Sequence, residues 1–478
     1  EGANLGFTQR ARVEYALAGG RMNTDAIDNS AGVDCSDHEV NIKILLDVLV
    51  VQNKLTMRSR NALLKRMTDE VGTLVLWDNY EQTLAISIIQ ARGTDLVDHQ
   101  IRLMRMLEKA DRLSREVEFL PDDETLTERA IGGQGLTRPE VSVLLSYSKI
   151  WLFDELLASD IPDDPFLVRD LLRYFPTPLQ SKYQDDIGQH RLRREIVATR
   201  VTNSMINRVG GTFVTQLMEK TGMKPGDIAR AFIMAREVFT VRDMWSPIEA
   251  LDNKVPAHTQ ISMLLDINKL LDRATMWFLR NGVASQPLAA SVERFQGGNS
   301  ELFAGLTNVL PDHYLEDLDR RAQVYVGDGV PKELALRIAG LVNMASGIDI
   351  VLLAEQRGLK VCEVAALYFA VGSKFRLGRL RAACEALGSD SHWQKLAVSA
   401  LVEELFGHQY NLTAHVLEVS HNITDCDKAI KIWTDTYQNA IARTEQLLTE
   451  LWAGDINDIS MIAVASRAFK SLIDERSS

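Results

Sequence analysis

Cysteine is scarce in this sequence, with four in 478 residues at positions 35, 362, 384 and 426 and no CxxC pair. That excludes a disulfide framework and a thiolate zinc ribbon, and makes a reducing compartment the expectation. Proline is sparse, twelve residues, and alternating polar–apolar runs nearly vanish beyond residue 40, which excludes a mainly β architecture. No run of about 18 apolar residues occurs; VNIKILLDVLVV at 40–51 is broken by Lys43 and Asp47. Nor is there a basic-then-apolar leader. The expectation is a soluble, cytoplasmic protein without a membrane partner. An excess of positive charge is also missing: the net charge is −12 and the pI about 5.4. Nucleic-acid binding rests on neutralising phosphates, so no nucleic-acid partner is expected. The one basic cluster, HRLRREIVATR at 190–200, has helical spacing and reads as a solvated helix face.

What remains is ordinary globular material, 46% hydrophobic and 25% charged, long enough for two to four domains. Val97, Ile101, Met104 and Leu107, and again Val197, Val201, Met205 and Val209, recur at three or four residues and lay apolar stripes along helices. One punctuation recurs three times: GLTRPEVS (135–142), GMKPGDIA (222–229) and GLKVCEVA (358–365). Its glycine can take the left-handed conformation that ends one helix, and its acid then falls at the third position of the next. Only Thr137 can complete a capping box with Glu140; Lys224 and Lys360 cannot accept the N–H bond, an omission of about 1 kcal/mol each. The second and third copies extend at a constant offset of 136, with eight identities over 35 ungapped positions, and EAL at 249–251 falls on EAL at 385–387. A duplicated helical unit is the reading favoured over convergent capping.

Chemistry is concentrated in the first 40 residues. The chain starts on Glu-Gly with no initiator Met, which reads as a cut through a domain. EGANLG places Asn4 at the lip of a small-residue turn. FTQRARVEYALAGG reads as a helix capped by Thr8, RMNTD as a short strand, and DNSAGVDCSDHE as a polar loop entering a helix. The whole stretch EGANLGFTQRARVEYALAGGRMNTDAIDNSAGVDCSDHEVNIKI resembles the end of the dinucleotide domain of glutamate dehydrogenases. It is most similar to the very large bacterial NAD-specific class, which carries a long helical C-terminal extension. Family members show Glu-Gly-Ala-Asn followed by Asn-Ala-Gly-Gly-Val-x-x-Ser-x-x-Glu. Here Glu1 to Asn4 are followed in register by Asn29, Ser30-Ala31-Gly32-Val33, Ser36 and Glu39, with Ser30-Ala31 a departure that keeps the loop small.

The resemblance implies NAD as cofactor, with Asn4 and Asn29 beside the nicotinamide and its ribose. It implies that Ser36 holds the substrate carboxylate, glutamate and 2-oxoglutarate being the substrate pair. In the family the proton-moving lysine and carboxylate and the phosphate-binding glycine turn lie upstream of EGAN. No catalytic residue is therefore expected in this chain, which alone should be inactive. Asp34, Asp37, His38 and Glu39 crowd a helix start, where acids suit the dipole, and no metal is expected there. Cys35 reads as a bystander thiol, and five tryptophans (77, 151, 245, 277 and 433) as packing anchors. The resulting expectation is a mostly α chain with a short α/β remnant of a dinucleotide-binding domain. Residues 1–55 end the catalytic domain, 56–190 form a helical linker region, and 191–478 a helical-repeat region serving oligomer assembly or regulation. Its partners would be the upstream catalytic domain of the same polypeptide and further copies in a homo-oligomer. The alternative is a freestanding helical-repeat interaction module.

Overall fold

The computed structural model of the chain describes residues 2–387 and 392–474. Two compact units emerge: residues 1–235 with 275–291, and residues 236–274 with 292–478. Among the described residues every regular element is helical and no strand occurs.

The first unit carries α1 (Gln9–Leu17), α2 (Asp25–Asp28), α3 (Ala31–Val51), α4 (Met57–Arg92), α5 (Val97–Lys109), α6 (Arg138–Leu157), α7 (Val168–Tyr174), α8 (Arg193–Val209), α9 (Phe213–Thr221) and most of α10 (Pro225–Val238). Helix α4 packs against α3, α6 and α8, and α8 also packs on α6. The spacing explains this arrangement. Ile42, Leu45, Leu46 and Leu49 line one face of α3 and are buried, as are both stripes read from the sequence on α5 and α8. Each such side chain contributes about 1.5–3 kcal/mol relative to an exposed one. Helix α6 starts on the expected capping box: Glu140 Oε2 accepts from the Thr137 N–H and hydroxyl, both at 2.7 Å. Arg129 then grips both Glu140 oxygens, at 2.9 and 3.0 Å.

Three expectations need correction. RMNTD is not a strand: residues 21–24 are irregular and Asp25 opens α2. Without neighbouring strands its backbone has no ladder to join. Asn23 is instead buried through side-chain bonds to Asp28 and Arg138. The expected α/β remnant is therefore helical among the described residues. Gly222 and Gly358 do end helices at φ +70° and +64°, but before α6 the left-handed residue is Gly133, not Gly135. The basic face at 190–200 is paired rather than freely solvated. Arg193 and Arg194 meet Asp163, and Arg200 lies 3.6 Å from Asp78.

The second unit carries α11 (Arg242–Glu249), most of α12 (Ala257–Arg280) and α13 (Leu288–Val309), α14 (Asp312–Gly327), α15 (Lys332–Ala339), α16 (Leu341–Met344), α17 (Gly347–Arg357), α18 (Val361–Lys374), α19 (Leu377–Ala386), α20 (His392–Val419), and three further helices to Asp474. Phe375 anchors its core, edge-on to Trp433 at 6.0 Å and to Phe469 at 5.6 Å. Arg273 is part-buried between two carboxylates, Asp349 at 3.3 Å and Glu403 at 2.7 Å. The offset of 136 carries α10 onto α18 at both ends and the end of α9 onto the end of α17. Thr240 and Arg376, also 136 apart, both hold left-handed backbone, at φ 46° and 51°.

Candidate functional site

The N-terminal turn and α2 are tied together by one carboxylate. Thr8 caps α1 by accepting the Ala11 N–H at 3.2 Å. Asp25, at the start of α2, accepts the Leu5 N–H at 2.9 Å and pairs with buried Arg12 at 3.2 Å. Burial works against ionisation of Asp25. The Leu5 and Ala26 N–H groups and Arg12 outweigh it and hold the carboxyl below its ordinary range. This bond sets the turn carrying Asn4 against the helix ending at Asn29, and the Asn29 Nδ2 donates to Asn4 Oδ1. Two carboxamides joined this way keep both N–H groups of Asn4 Nδ2, the second N–H of Asn29 Nδ2 and the acceptor Asn29 Oδ1 without a partner among the described residues. Glu1 of the motif lies outside the described residues.

A second set of bonds fixes α2 from behind. Asn23 donates to Asp28 at 2.7 Å and accepts from Arg138 Nε at 3.0 Å. Arg138, buried at the first turn of α6, also reaches Ser87 at 3.1 Å and Gln90 at 3.2 Å on α4. Ser30, the departure from the family loop, donates to Asn79 Oδ1 at 2.6 Å and accepts from Gln82 Nε2 at 2.5 Å. Ser36 stands apart from the asparagines. It is exposed on α3 and its hydroxyl donates to the Gly32 carbonyl at 3.1 Å. Glu39 pairs with Lys43, and Cys35 is exposed.

The buried face of α3 holds an ionic cluster that sequence reasoning did not assemble. Asp34 and His38, one turn apart, meet Asp78 of α4, with ligand-type atoms within 4.8 Å of one another. His38 stacks on Tyr174 at 4.4 Å, and the Tyr174 hydroxyl donates to Asp37 at 2.7 Å while accepting from Asn41 at 2.8 Å. Burial, then the Asp78 and Asp37 charges, pushes Asp34 up to about 7. Burial lowers His38 to about 4 and raises Asp78. It also lowers Lys149, which donates to Gln82 at 3.2 Å, to about 8 against the pull of Asp78, Glu81 and Asp34. At neutral pH the cluster therefore sets a protonated or half-protonated Asp34 beside a neutral imidazole. Lys149 and Arg200 supply positive charge, which makes it better suited to holding a proton than a cation. The partners come from four helices distant in sequence; the only local signal was the Asp34–His38 spacing on an apolar face.

Residues 133–471 match the family described as glutamate dehydrogenase, C-terminal, and residues 1–89 the catalytic domain of bacterial NAD-glutamate dehydrogenase. The chain is 42% identical over 472 residues to the NAD-specific glutamate dehydrogenase of Pseudomonas aeruginosa, covering 99% of this chain and 29% of that protein. It is 40% identical over 479 residues to the enzyme so named from Halomonas elongata, covering 100% of this chain and 30% of that protein. Against the Mycobacterium tuberculosis protein of the same name it is 34% identical over 474 residues, 99% of this chain and 29% of the relative. The chain thus spans under a third of the length of the curated relatives it matches. Its match to the C-terminal family runs over well more than half of its residues, and the chain belongs to the glutamate dehydrogenase family.

Proposed function

We propose that this chain is the C-terminal portion of an NAD-dependent glutamate dehydrogenase. The reaction is L-glutamate, water and NAD⁺ giving 2-oxoglutarate, ammonium, NADH and a proton. The observation that carries the reading is the Asn4–Asn29 carboxamide pair, which leaves N–H donors and the Asn29 Oδ1 acceptor free at an exposed lip. A nicotinamide carboxamide or a ribose hydroxyl offers the complementary acceptor and donor. When bound, the cofactor supplies the hydride acceptor. The chain's own residues orient it through Asn4 and Asn29, and Ser36 holds the substrate carboxylate. Proton-transfer residues and the phosphate-binding turn belong to an upstream part of the polypeptide, so this chain alone is inactive. Large apolar side chains exposed at Leu5, Phe7, Val33, Val40, Val51 and Leu76 support an upstream partner covering this region.

Residues 207–251 and 343–387 are read as copies of one helical unit, supported by the coincident helix bounds and left-handed residues. The helical region serves homo-oligomer assembly or regulation. In the longer enzyme, Asn29→Ala should raise KM for NAD⁺ about 2- to 10-fold, the value of one neutral hydrogen bond, with KM for glutamate unmoved. The purified chain should produce no glutamate-dependent NADH. NADH production by this chain, or an unchanged KM for NAD⁺ in the variant, refutes the reading.

A further inference from the structure

The second unit contains a cavity of about 200 Å³ whose walls include Phe239, Met244, Leu270, Phe303, Leu341 and Met344. Two polar groups on this wall are unmatched. Arg337, on α15, stacks over Phe303 at 5.6 Å and reaches the Asp243 carbonyl at a long 3.4 Å. Its Nε is buried without a hydrogen-bond partner, and the guanidinium makes no ion pair among the described residues. Asn299, 2% exposed, spends its Nδ2 on the Phe295 carbonyl at 3.0 Å, while its Oδ1 has no partner. A dry packing void is lined by apolar groups throughout. A half-buried cation normally finds a counter-charge. The surroundings of Phe375, 136 residues after Phe239, are filled by Trp433 and Phe469, so a helical surface of this pattern does not require an opening.

We propose that this cavity binds a small aliphatic monocarboxylate, its carboxylate on Arg337 and its alkyl body among Phe239, Met244, Leu270 and Phe303. At liquid density the volume holds about seven heavy atoms, the size of 3-methylbutanoate. Arg337 is the one charged group in a lining whose other polar residues, Thr240, Asn299 and Ser300, are neutral, which selects one negative charge. A second carboxylate would be desolvated with no partner, and a neutral isostere would leave Arg337 unmatched.

The test is calorimetric titration of the complete 478-residue chain with 3-methylbutanoate, 3-methylbutanamide and butanedioate. The acid should bind saturably at one site, and the amide and the diacid at least 10-fold more weakly. Arg337→Gln should weaken the acid at least 10-fold and bring it level with the amide, and Ala304→Phe, which adds bulk at the exposed edge of the cavity lining, should weaken binding at least 10-fold. Equal affinity of acid and amide for the unaltered chain, or no saturable binding at tens of millimolar, overturns the proposal. Should Arg337→Gln fail to fold, the acid–amide contrast on the unaltered chain and Ala304→Phe decide it. None of these readouts depends on dehydrogenase activity, so the result is separable from the proposed enzyme reading.

Discussion

Asp34 and His38 face each other at 4.0 Å with opposite pKa displacements, and the pair makes stability depend on pH in a way that single substitutions expose. Asp34 is raised from 3.8 to about 7, so between pH 4 and 7 the folded chain holds a proton that the unfolded chain has lost. That contribution is fully present below the unfolded value and is lost as pH rises through the folded one. Each unit is worth about 1.4 kcal/mol, about 4 kcal/mol over the window. With the Asp34 side chain 25% exposed, screening reduces this to roughly 2 kcal/mol. His38 is lowered from 6.5 to about 4, so over most of the same window the unfolded chain holds a proton that the folded chain refuses. Its contribution runs the other way: stability falls as pH drops from 6.5 to 4. The two slopes nearly cancel in the unaltered chain.

Removing one partner should unmask the other. Asp34→Asn should give a chain whose urea midpoint, relative to the unaltered protein, rises with pH between 4 and 6.5. His38→Gln should give one whose relative midpoint falls between pH 4 and 7. The comparison is urea unfolding of all three chains at half-unit steps from pH 4.5 to 7.5, with His38 followed by NMR. Midpoints of the variants running parallel to the unaltered chain would refute the assignment. So would an imidazole that is protonated at pH 6, because Asp34 and His38 would then form an ion pair rather than a neutral pair.

Two further perturbations test the packing. A methyl added at Gly211 would sit 2.4 Å from Ser148 Oγ, and one at Gly347 2.2 Å from Asn299 Oδ1, so both alanine substitutions should destabilise by about 1–3 kcal/mol. Thermal unfolding of Gly211→Ala with and without Ser148→Gly should show strong coupling, and additivity would contradict the close approach. Arg129→Met leaves the Glu140 side chain, 1% exposed, without its counter-charge, and should lower stability by about 3–5 kcal/mol in urea unfolding; Thr137→Val should lose only about 1 kcal/mol.

These substitutions also mark where the sequence was legible. Periodicity found α5 and α8 because every residue of each stripe is buried, and capping chemistry found the start of α6 because Thr137 and Glu140 sit three residues apart. Such signals are local: the bond partner lies within one or two turns. The same locality explains why Asn4 and Asn29 could be placed only by resemblance, since what joins them is Asp25 gripping the Leu5 N–H across 20 residues. It explains the failure at residues 21–24 as well. A strand is a property of its neighbours, whereas Asn23 answers to Arg138, 115 residues away. The ionic cluster is the extreme case. Nothing near Asp34 announces Asp78, Lys149 or Arg200, because a buried charge is tolerated only where several distant helices bring compensating groups together. Arg138 shows the consequence for the fold: a residue inside the C-terminal family match, on α6, also braces α2 through Asn23 and Asp28. Within the first unit, the first turn of α6 and the segment leading to Asn29 are therefore one bonded set, and a change at Arg138 is a change at α2.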